Sequence, residues 1–232
     1  MNLAKKGNNI IFTYHSNKVE ADKVITEVLS LGQKAIAYQL DVSNIKNFDA
    51  FLHQVSGHLT QHEGSASFDF LINNAGAGVY GSVSETTEEA FDAMMNVHFK
   101  GVYFLTQKLL PLLNEGGRII NISSGLTRVS FPNVSAYASM KGAIETYTRC
   151  LAKELGSRQI TANTVAPGAI ATDFGGGSNK SDENKRNAIA SVTALGRVGE
   201  PEDIGGVVAF LCTPEAAWIN GQRIELSGGM MI

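Results

Sequence analysis

The stretch that organises this chain is Asn121-Ile-Ser-Ser-Gly125, followed downstream by Ser135-Ala-Tyr-Ala-Ser-Met-Lys141. The first part continues the apolar run Arg118-Ile-Ile-Asn-Ile122, which predicts a buried parallel strand. The second part opens a helical pattern over residues 135–155, with Gly156 as the predicted stop. The sequence therefore predicts a strand, a loop and a long helix in succession.

Three side chains of this stretch are suited to acid–base chemistry. Tyr137 and Lys141 are four residues apart and share one face of the predicted helix, while Ser124 stands at the end of the strand. A free phenol has a pKa of roughly 10, and a nearby cation stabilises the phenolate and lowers that pKa. A phenol, an ammonium and a hydroxyl that converge can polarise a carbonyl group and deliver a proton to it.

The Tyr-x-x-x-Lys pattern has little specificity by itself, because Tyr14 and Lys18 also form it. Tyr137 on its own is most simply interpreted as an ordinary residue of an amphipathic helix. Only the pair at Tyr137 has a Ser-Ser-Gly strand end upstream and stands near the start of a long helix. This context favours the catalytic interpretation.

Composition limits the class of protein. The chain has 232 residues, a formal net charge of −3 and 18% charged residues, which predict a single domain over residues 1–232 and no nucleic-acid partner. Cys150 and Cys212 are interpreted as small buried apolar groups in a reducing compartment. No apolar run reaches membrane-spanning length and no signal peptide opens the chain, so we expect a cytoplasmic protein without a membrane partner.

Predicted strands and helices alternate along the chain. The predicted strands cover residues 9–14, 34–40, 68–73, 118–122, 160–165 and 222–226, and the longer predicted helices cover residues 18–31, 48–60, 87–113, 135–155 and 200–212. A capping box, Thr86-Thr-Glu-Glu89, is predicted to open the third of these helices. This alternation predicts an α/β fold with a Rossmann-like, doubly wound parallel sheet.

The motif Gly76-Ala-Gly-Val-Tyr-Gly81 matches the G-x-G-x-x-G pattern of dinucleotide-binding turns. In such turns the helix opens within the glycines, so that its N-terminus meets the pyrophosphate. Here the predicted cap comes only at Thr86, and the region about twenty residues further on is mid-helix rather than a strand with an acidic end. We interpret these glycines as a loop over a strand end.

Two other kinds of site receive little support. Neither Ser123 nor Ser124 lies in a G-x-S-x-G motif, which argues against a serine hydrolase. His53, His58 and His62 recur on one polar predicted helix, where a solvated face is favoured over a metal site.

Several short motifs resemble the short-chain dehydrogenase/reductase family and follow its order over nearly the whole chain. They are Asp41-Val42, Asn73-Asn-Ala-Gly76, Asn96 within Met95-Asn-Val-His-Phe-Lys-Gly101, Ile122-Ser-Ser124, Tyr137-x-x-x-Lys141, Pro167-Gly168 and Ser227-Gly-Gly229. The resemblance implies an oxidoreductase that transfers a hydride between NAD(P)(H) and a small alcohol or carbonyl substrate. Residues 174–195 are expected to cover that substrate.

The resemblance implies four catalytic residues. Tyr137 would be the acid–base residue, and Ser124 would hold the substrate oxygen. Lys141 would lower the pKa of the tyrosine and bind the nicotinamide ribose. Asn96 would keep a kinked helix and a water that links Lys141 to solvent.

The resemblance also implies cofactor contacts at Asp41 with Val42 beside the adenine, at Asn74, Ala75 and Gly76 along the cofactor, and at Pro167, Gly168, Ile170 and Thr172 around the nicotinamide. Other interpretations stay open: Asp41 as a helix cap, Asn73 and Asn74 as a turn, and Pro167-Gly168 as a loop breaker. Met140 departs from the family, which often has Ser there, and is expected to alter packing only.

The end of the first predicted strand bears on the choice between NADP and NAD. NAD-preferring folds carry a carboxylate there that binds the ribose 2′-OH. This strand ends at Tyr14 without one, and His15, Ser16, Asn17 and Lys18 follow. These donors and the positive charge favour NADP(H), with NAD(H) as the alternative, and place Tyr14, His15 and Ser16 among the cofactor-binding residues.

The front of the chain departs most from the family, which begins with a strand, a glycine-rich turn and a helix. Residues 1–7 resemble only the last turns of that helix, so the first strand and the pyrophosphate turn are expected to be absent. That strand would lie mid-sheet, between the strands at Ile10 and Leu71. Either Met1 is internal to a longer product, or the chain is a non-catalytic remnant or interaction protein without a pyrophosphate cradle.

Assembly is the last expectation. The predicted helices over residues 87–113 and 135–155 resemble the pair through which family members dimerise. The C-terminal Gly228-Gly-Met-Met-Ile232 is apolar enough to be covered. We expect a homodimer or homotetramer.

Overall fold

The computed structural model describes every residue from Met1 to Ile232. Its six strands are β1 Ile10–Tyr14, β2 Ala35–Gln39, β3 Phe68–Asn73, β4 Leu113–Ile122, β5 Thr161–Pro167 and β6 Arg223–Leu226. Its helices are α1 Asn2–Lys5, α2 Lys18–Ser30, α3 Phe48–Glu63, α4 Glu88–Met95, α5 Gly101–Leu109, α6 Ser135–Glu154, α7 Ser178–Ser181, α8 Glu183–Ser191 and α9 Pro201–Leu211. All strand pairs are parallel, which confirms the predicted Rossmann-like α/β fold.

The sheet is divided into two parts. Strands β1 and β2 pair with each other, and β3, β4, β5 and β6 pair in that order, but β1 and β3 share no backbone hydrogen bonds. Residues 10–13 of β1 and residues 68–73 of β3 instead line one cavity of about 2000 Å³. We call the space between these two strand edges the slot. It lies where the sequence places the expected mid-sheet strand.

The core follows the alternation of side chains along β4. Ile119 packs on one face of the sheet with Leu151 of α6, and Ile120 packs on the other face with Leu211 of α9. All four are almost completely buried, and each such side chain contributes about 1.5–3 kcal/mol by leaving water. The two helices are thereby fixed to opposite faces of the strand that leads into the site.

A buried polar chain adds specificity to this packing. The Asn73 side-chain amide donates to Thr106 Oγ1 at 3.0 Å and to Asn121 Oδ1 at 2.7 Å. Asn121 in turn donates to Thr148 Oγ1 at 2.9 Å. Since a buried polar group left without its partner costs about 1–3 kcal/mol, this chain fixes the register of β3, β4, α5 and α6.

The helix predicted over residues 87–113 is confirmed as one helical run over residues 88–112, but it is not α-helical throughout. The chain forms α4, a π-helical turn over Asn96–Lys100, α5 and a 3₁₀ turn over Leu110–Leu112, after which β4 begins at Leu113. A Cβ at Gly101 would clash with the carbonyl oxygens of Val42 and Asn96, so this helix lies against the loop after β2 only because a glycine stands there. The cap is also shifted by one residue, since Thr87 Oγ1 accepts from Ala90 N at 3.2 Å.

The two cysteines differ in exposure. Cys212 is buried, but Cys150 is exposed on the outer face of α6, so the expectation of a buried thiol is wrong there. No helix combines the length and the apolar character needed to cross a membrane.

Candidate active site

The end of β4 delivers Ser124 to the carboxyl edge of the sheet. Ser124 is buried, and its Oγ accepts a hydrogen bond from Leu126 N at 3.2 Å, which caps the 3₁₀ turn Gly125–Thr127. Carboxyl edges of parallel strands are where open α/β sheets bind ligands. The serine is therefore held at the edge of the sheet expected to carry the site.

Helix α6 brings Tyr137 and Lys141 to the same place. Both are buried, with 7% and 4% of their surface exposed. Lys141 Nζ donates to the Ile122 carbonyl at 2.8 Å and lies 5.7 Å from the centroid of the Tyr137 ring. Ser124, Tyr137 and Lys141 all line the cavity that continues into the slot.

Burial is the main cause of the pKa shifts of Tyr137 and Lys141. Burial and, to a lesser extent, Tyr80 raise the pKa of Tyr137 to about 12, and only a hydrogen bond with Ser124 opposes the shift. Burial also lowers the pKa of Lys141 to about 8. The expected lowering of the tyrosine pKa by Lys141 is not seen in this structure, where the Lys141 ammonium donates to the carbonyl of Ile122 and burial raises the pKa of the phenol.

The lowered pKa of Lys141 predicts a pH dependence of stability. Below about pH 8 the lysine is charged in both states, and charging it inside the fold costs about 3 kcal/mol. Above this pH the folded lysine is neutral while the unfolded one still binds its proton, so the free energy of unfolding should rise with pH by about 2 kcal/mol up to roughly pH 9.5. Lys141→Met should remove this rise, as measured by denaturant melts at several pH values. The control is Lys153→Met, which removes an exposed lysine of the same helix. Equal slopes in the two variants would contradict the assignment.

Three aromatic rings surround Tyr137. Their centroids lie 5.1 Å away for His98, 6.0 Å for Phe174 and 6.3 Å for Tyr80. His98 is completely buried in the π-helical turn, whereas Phe174 and Tyr80 stand in loops with large exposed fractions. Tyr137 thus has one rigid aromatic neighbour and two on the surface of the cavity.

Asn96 lies at an irregular turn of the helix, which is the position that the family resemblance implies for it. Asn96 is half-buried at the first residue of the π-helical turn, where its carbonyl accepts from Gly101 N. It supports the irregular turn through its backbone, but it does not line the cavity with Tyr137. His98, two residues later, faces the tyrosine instead. The signal in the sequence was a histidine between Val97 and Phe99 in an apolar helix.

A charged cluster that supports Ser124 also went unnoticed in the sequence. Glu145 Oε1 accepts from Ser123 Oγ at 2.7 Å, from Thr127 Oγ1 at 2.7 Å and from Arg223 Nε at 2.8 Å. Arg223 Nη2 also donates to the Ser124 carbonyl at 3.2 Å. The only sequence signal was the position of Glu145 one helical turn after Lys141.

A second ion pair extends this cluster to the C-terminus. The Arg128 guanidinium donates to both carboxylate oxygens of Glu225 at 2.7 and 2.8 Å, and to the Met230 carbonyl at 2.7 Å. The hydrogen bond from Arg128 lowers the pKa of Glu225 to about 2. The loop after Ser124 and the end of the chain are therefore held together by bidentate pairing.

Most of the predicted cofactor-binding residues lie together. The cavity is lined by Val42, Asn74, Ala75, Gly76, Tyr137, Lys141, Pro167, Gly168, Ile170 and Thr172. Tyr14, His15 and Ser16 line a separate, smaller pocket of about 300 Å³ at the end of β1. Asp41 lines neither pocket, and Ser43 N and Oγ occupy its Oδ1 at 2.9 and 2.7 Å, which lowers its pKa. Asp41 thus caps a turn, whereas the cap of the following 3₁₀ helix Ile45–Asn47 is Asn44.

The cavity residues fit the nicotinamide end of a dinucleotide. Lys141 has three N–H donors and spends one of them on Ile122, so donors remain for ribose hydroxyls. The backbone at Gly76 approaches closely, because a Cβ there would lie 3.0 Å from the ring of His98. The stretch from Gly76 to Gly81 is a loop, and helix α4 begins only at Glu88, so no pyrophosphate cradle forms there.

A metal site is not formed. No three His, Cys, Asp or Glu side chains gather closely enough to hold an ion. The ring centroids of His58 and His62 lie 4.4 Å apart on α3, and the residues around them are mostly exposed.

Comparisons with known proteins agree with this geometry. The family model described as Enoyl-(Acyl carrier protein) reductase matches residues 1–231. The hydroxynaphthalene reductase-like protein Arp2 of Metarhizium brunneum is 33% identical over 240 residues, which cover 99% of this chain and 88% of that protein. The angucycline C-6 ketoreductase LanV with bound NADP has a TM-score of 0.92 and 34% identity, over 99% of this chain and 90% of its own. A short-chain dehydrogenase/reductase from Serratia marcescens has a TM-score of 0.91 and 31% identity, over 100% of this chain and 91% of its own. The chain belongs to the short-chain dehydrogenase/reductase family of oxidoreductases.

Proposed function

We propose that the protein is an NADP(H)-dependent reductase that interconverts a carbonyl compound and its alcohol. The observation that carries this proposal is the convergence of Ser124, Tyr137 and Lys141 in one cavity at the carboxyl edge of the sheet. The nicotinamide supplies the hydride chemistry, and the protein supplies position and electrostatics.

The residues take separate roles in this proposal. Tyr137 donates the proton to the substrate oxygen, and its raised pKa keeps it protonated until that oxygen becomes basic. Ser124 donates a hydrogen bond to the same oxygen. Lys141 binds the ribose, and Asn96 maintains the π-helical turn beside the site. The other lining residues, from Val42 to Thr172, would contact the cofactor.

The walls of the cavity favour an aromatic substrate. Tyr80, Phe131 and Phe174 line it with 40–49% of their surfaces exposed, although large aromatic side chains usually bury more. Rings of this kind stack on flat aromatic ligands. One relative carries hydroxynaphthalene in its name, which is a fused aromatic ring system. We therefore propose an aromatic ketone or its alcohol as the substrate class.

The competing interpretation is a non-catalytic remnant or interaction protein. The relatives are reductases, and the complete set of Ser124, Tyr137 and Lys141 lies together, so the enzyme is favoured. A panel of aromatic and aliphatic ketones, followed by nicotinamide absorbance with a form of the chain that binds NADPH, tests the proposal directly. Turnover of aromatic ketones well above that of aliphatic ones is expected, and absence of turnover with the whole panel would contradict the reductase.

Cofactor preference gives a prediction of its own. The carboxyl end of β1 and the turn that follows it, with His15 and Ser16, offer hydrogen-bond donors and no carboxylate to a 2′-phosphate. Lys18, in the next helix, is paired with Asp22 at 2.7 Å. LanV holds NADP. We expect a higher kcat/KM with NADPH than with NADH, and His15→Asp should reverse the preference by placing a carboxylate beside the ribose. Equal or better efficiency of the parent with NADH would overturn this assignment.

The division of the sheet is part of the proposal. We propose that a parallel strand completes the slot between β1 and β3 and leads into a glycine-rich turn over the pyrophosphate. Support comes from the unpaired edges of both strands and from the continuity of the slot with the cavity. A single domain over residues 1–232 and a cytoplasmic location remain predictions from sequence.

We also propose a homodimer or homotetramer. Apolar side chains stand exposed on the surface formed by α4 and α5, where Phe91 and Tyr103 are both 39% exposed. Trp218, in the turn before β6, is 99% exposed. Exposed apolar groups of this size mark association surfaces in many proteins.

A further inference from the structure

His98 lies completely buried beside the site and is held by one loop. Its Nε2 is 2.7 Å from the Ala77 carbonyl oxygen and 3.3 Å from Ala77 N. Each ring nitrogen of a neutral imidazole carries either a proton or a lone pair, so Nε2 cannot donate to the carbonyl and also accept from the amide. The shorter contact indicates that Nε2 donates to the carbonyl. The structure thus indicates the tautomer with the proton on Nε2.

The surroundings of His98 keep it neutral. Burial and the positive charge of Lys141 together lower its pKa to about 4, although the hydrogen bond with Ala77 opposes them. The imidazole is therefore uncharged near neutral pH. Its Nδ1 then carries a lone pair that has no hydrogen-bond partner in the fold. A phenylalanine would fill the same space without an unpaired polar atom, so packing alone does not explain a histidine here.

His98 joins two parts of the site. Its ring meets the ring of Tyr137 at an interplanar angle of 87° and 5.1 Å between centroids. Its Nε2 holds Ala77 in loop 74–81, which also carries Gly76 and Tyr80. The loop approaches the imidazole so closely that Gly76 cannot carry a Cβ without displacing a neighbour.

We propose that His98 is a positioning residue that fastens loop 74–81 through its Nε2–H while its ring sets the orientation of Tyr137. The inference rests on the proposed role of Tyr137 as the proton donor. The hydrogen bond keeps Tyr80 and the cofactor-lining residue Gly76 in place, and the edge-to-face contact limits rotation of the Tyr137 phenol.

The variants His98→Phe and His98→Gln separate the two elements of this proposal. His98→Phe keeps a ring against Tyr137 but releases Ala77, and kcat should fall by about ten- to a hundredfold, as misplacement within an active site typically does. Its thermal midpoint should stay the same or rise, because the unpaired Nδ1 is removed and Ala77 is exposed enough to bind water. His98→Gln retains an amide donor for the carbonyl but lacks the ring, so its kcat should lie between that of His98→Phe and that of the parent.

A purely structural role would make the opposite prediction. If the role of His98 were purely structural, His98→Phe would lower the thermal midpoint together with kcat, or its kcat would stay within about twofold of that of the parent. Loss in His98→Gln as large as that in His98→Phe would also overturn the inference. The control His53→Phe replaces an exposed histidine of α3 and should change neither quantity. If Tyr137→Phe retains turnover, the proposed function itself fails; if only His98→Phe does, the positioning role alone fails.

Nitrogen NMR of the parent tests the tautomer without any substrate. The His98 signals, assigned by their disappearance in His98→Gln, should show a protonated Nε2 and an unprotonated Nδ1 that do not titrate between about pH 6 and 8. A proton on Nδ1, or titration within that range, would overturn the assignment.

Discussion

Replacing Tyr137 with phenylalanine is expected to abolish nearly all turnover while leaving the fold intact. The change removes one hydroxyl group and keeps the ring that packs against His98 and Phe174. Loss of a positioned general acid typically costs about a hundred- to ten-thousandfold in rate. The fold should remain because the ring keeps its packing and only one hydroxyl is removed.

The measurement is kcat with NADPH and an aromatic ketone, together with thermal melting of parent and variant. Tyr147→Phe is the matched control, since Tyr147 stands on the same helix, donates to the Tyr103 carbonyl at 3.4 Å and does not line the cavity. Turnover of Tyr137→Phe within a few-fold of the parent would show that another group delivers the proton.

Completing the slot is expected to change both stability and cofactor binding. The facing edges of β1 and β3 leave backbone N–H and C=O groups without sheet partners. Each such group that is buried costs about 1–3 kcal/mol, whereas a whole domain is stable by only about 5–15 kcal/mol. Residues 1–232 expressed by themselves should therefore yield little cooperatively folded protein and bind neither NADPH nor NADH measurably.

The experiment compares residues 1–232 with two extended chains. One extension supplies an apolar strand, a glycine-rich turn and half a helix, and the other has the same length with the strand residues replaced by Gly and Ser. Only the first should melt cooperatively and gain thermal stability with NADPH. This extended chain is the form in which the variants of Lys141, His98 and Tyr137 are measured. A cooperative melt of residues 1–232, raised by NADPH, would show that other residues have replaced the cradle.

The sequence predicted the regular parts of the site because short-range spacing determines them. Tyr137 and Lys141 are related by one helical turn, and Ser124 follows a strand of continuous apolar character. The parallel sheet follows from the alternation of strands and helices. These features depend on residues close together in the chain, so their patterns are visible without a structure.

Other parts depend on tertiary contacts that the sequence does not display. The π-helical turn exists where Gly101 allows the helix to meet the carbonyl of Val42, and it places His98 against Tyr137. Arg223 and Glu145 meet across 78 positions of the chain. Neither the shifted turn nor the distant ion pair follows from local propensity.

The expectation that Lys141 lowers the pKa of Tyr137 was wrong for a related reason. The sequence shows that a lysine is near the phenol, but not that both are buried or that Lys141 spends a hydrogen bond on Ile122. Burial favours the neutral form of both groups, and its effect exceeds that of their proximity.

The strand edges that border the slot and the catalytic residues line one continuous cavity. A segment that enters the slot therefore builds part of the wall against which a dinucleotide lies. Binding free energies that share a boundary in this way are reciprocal: whatever factor the strand adds to NADPH affinity, NADPH adds to the affinity of the strand. Supplied as a separate peptide, such a strand would act as an obligatory activator, and the cofactor concentration would set how much of the two-part protein is assembled.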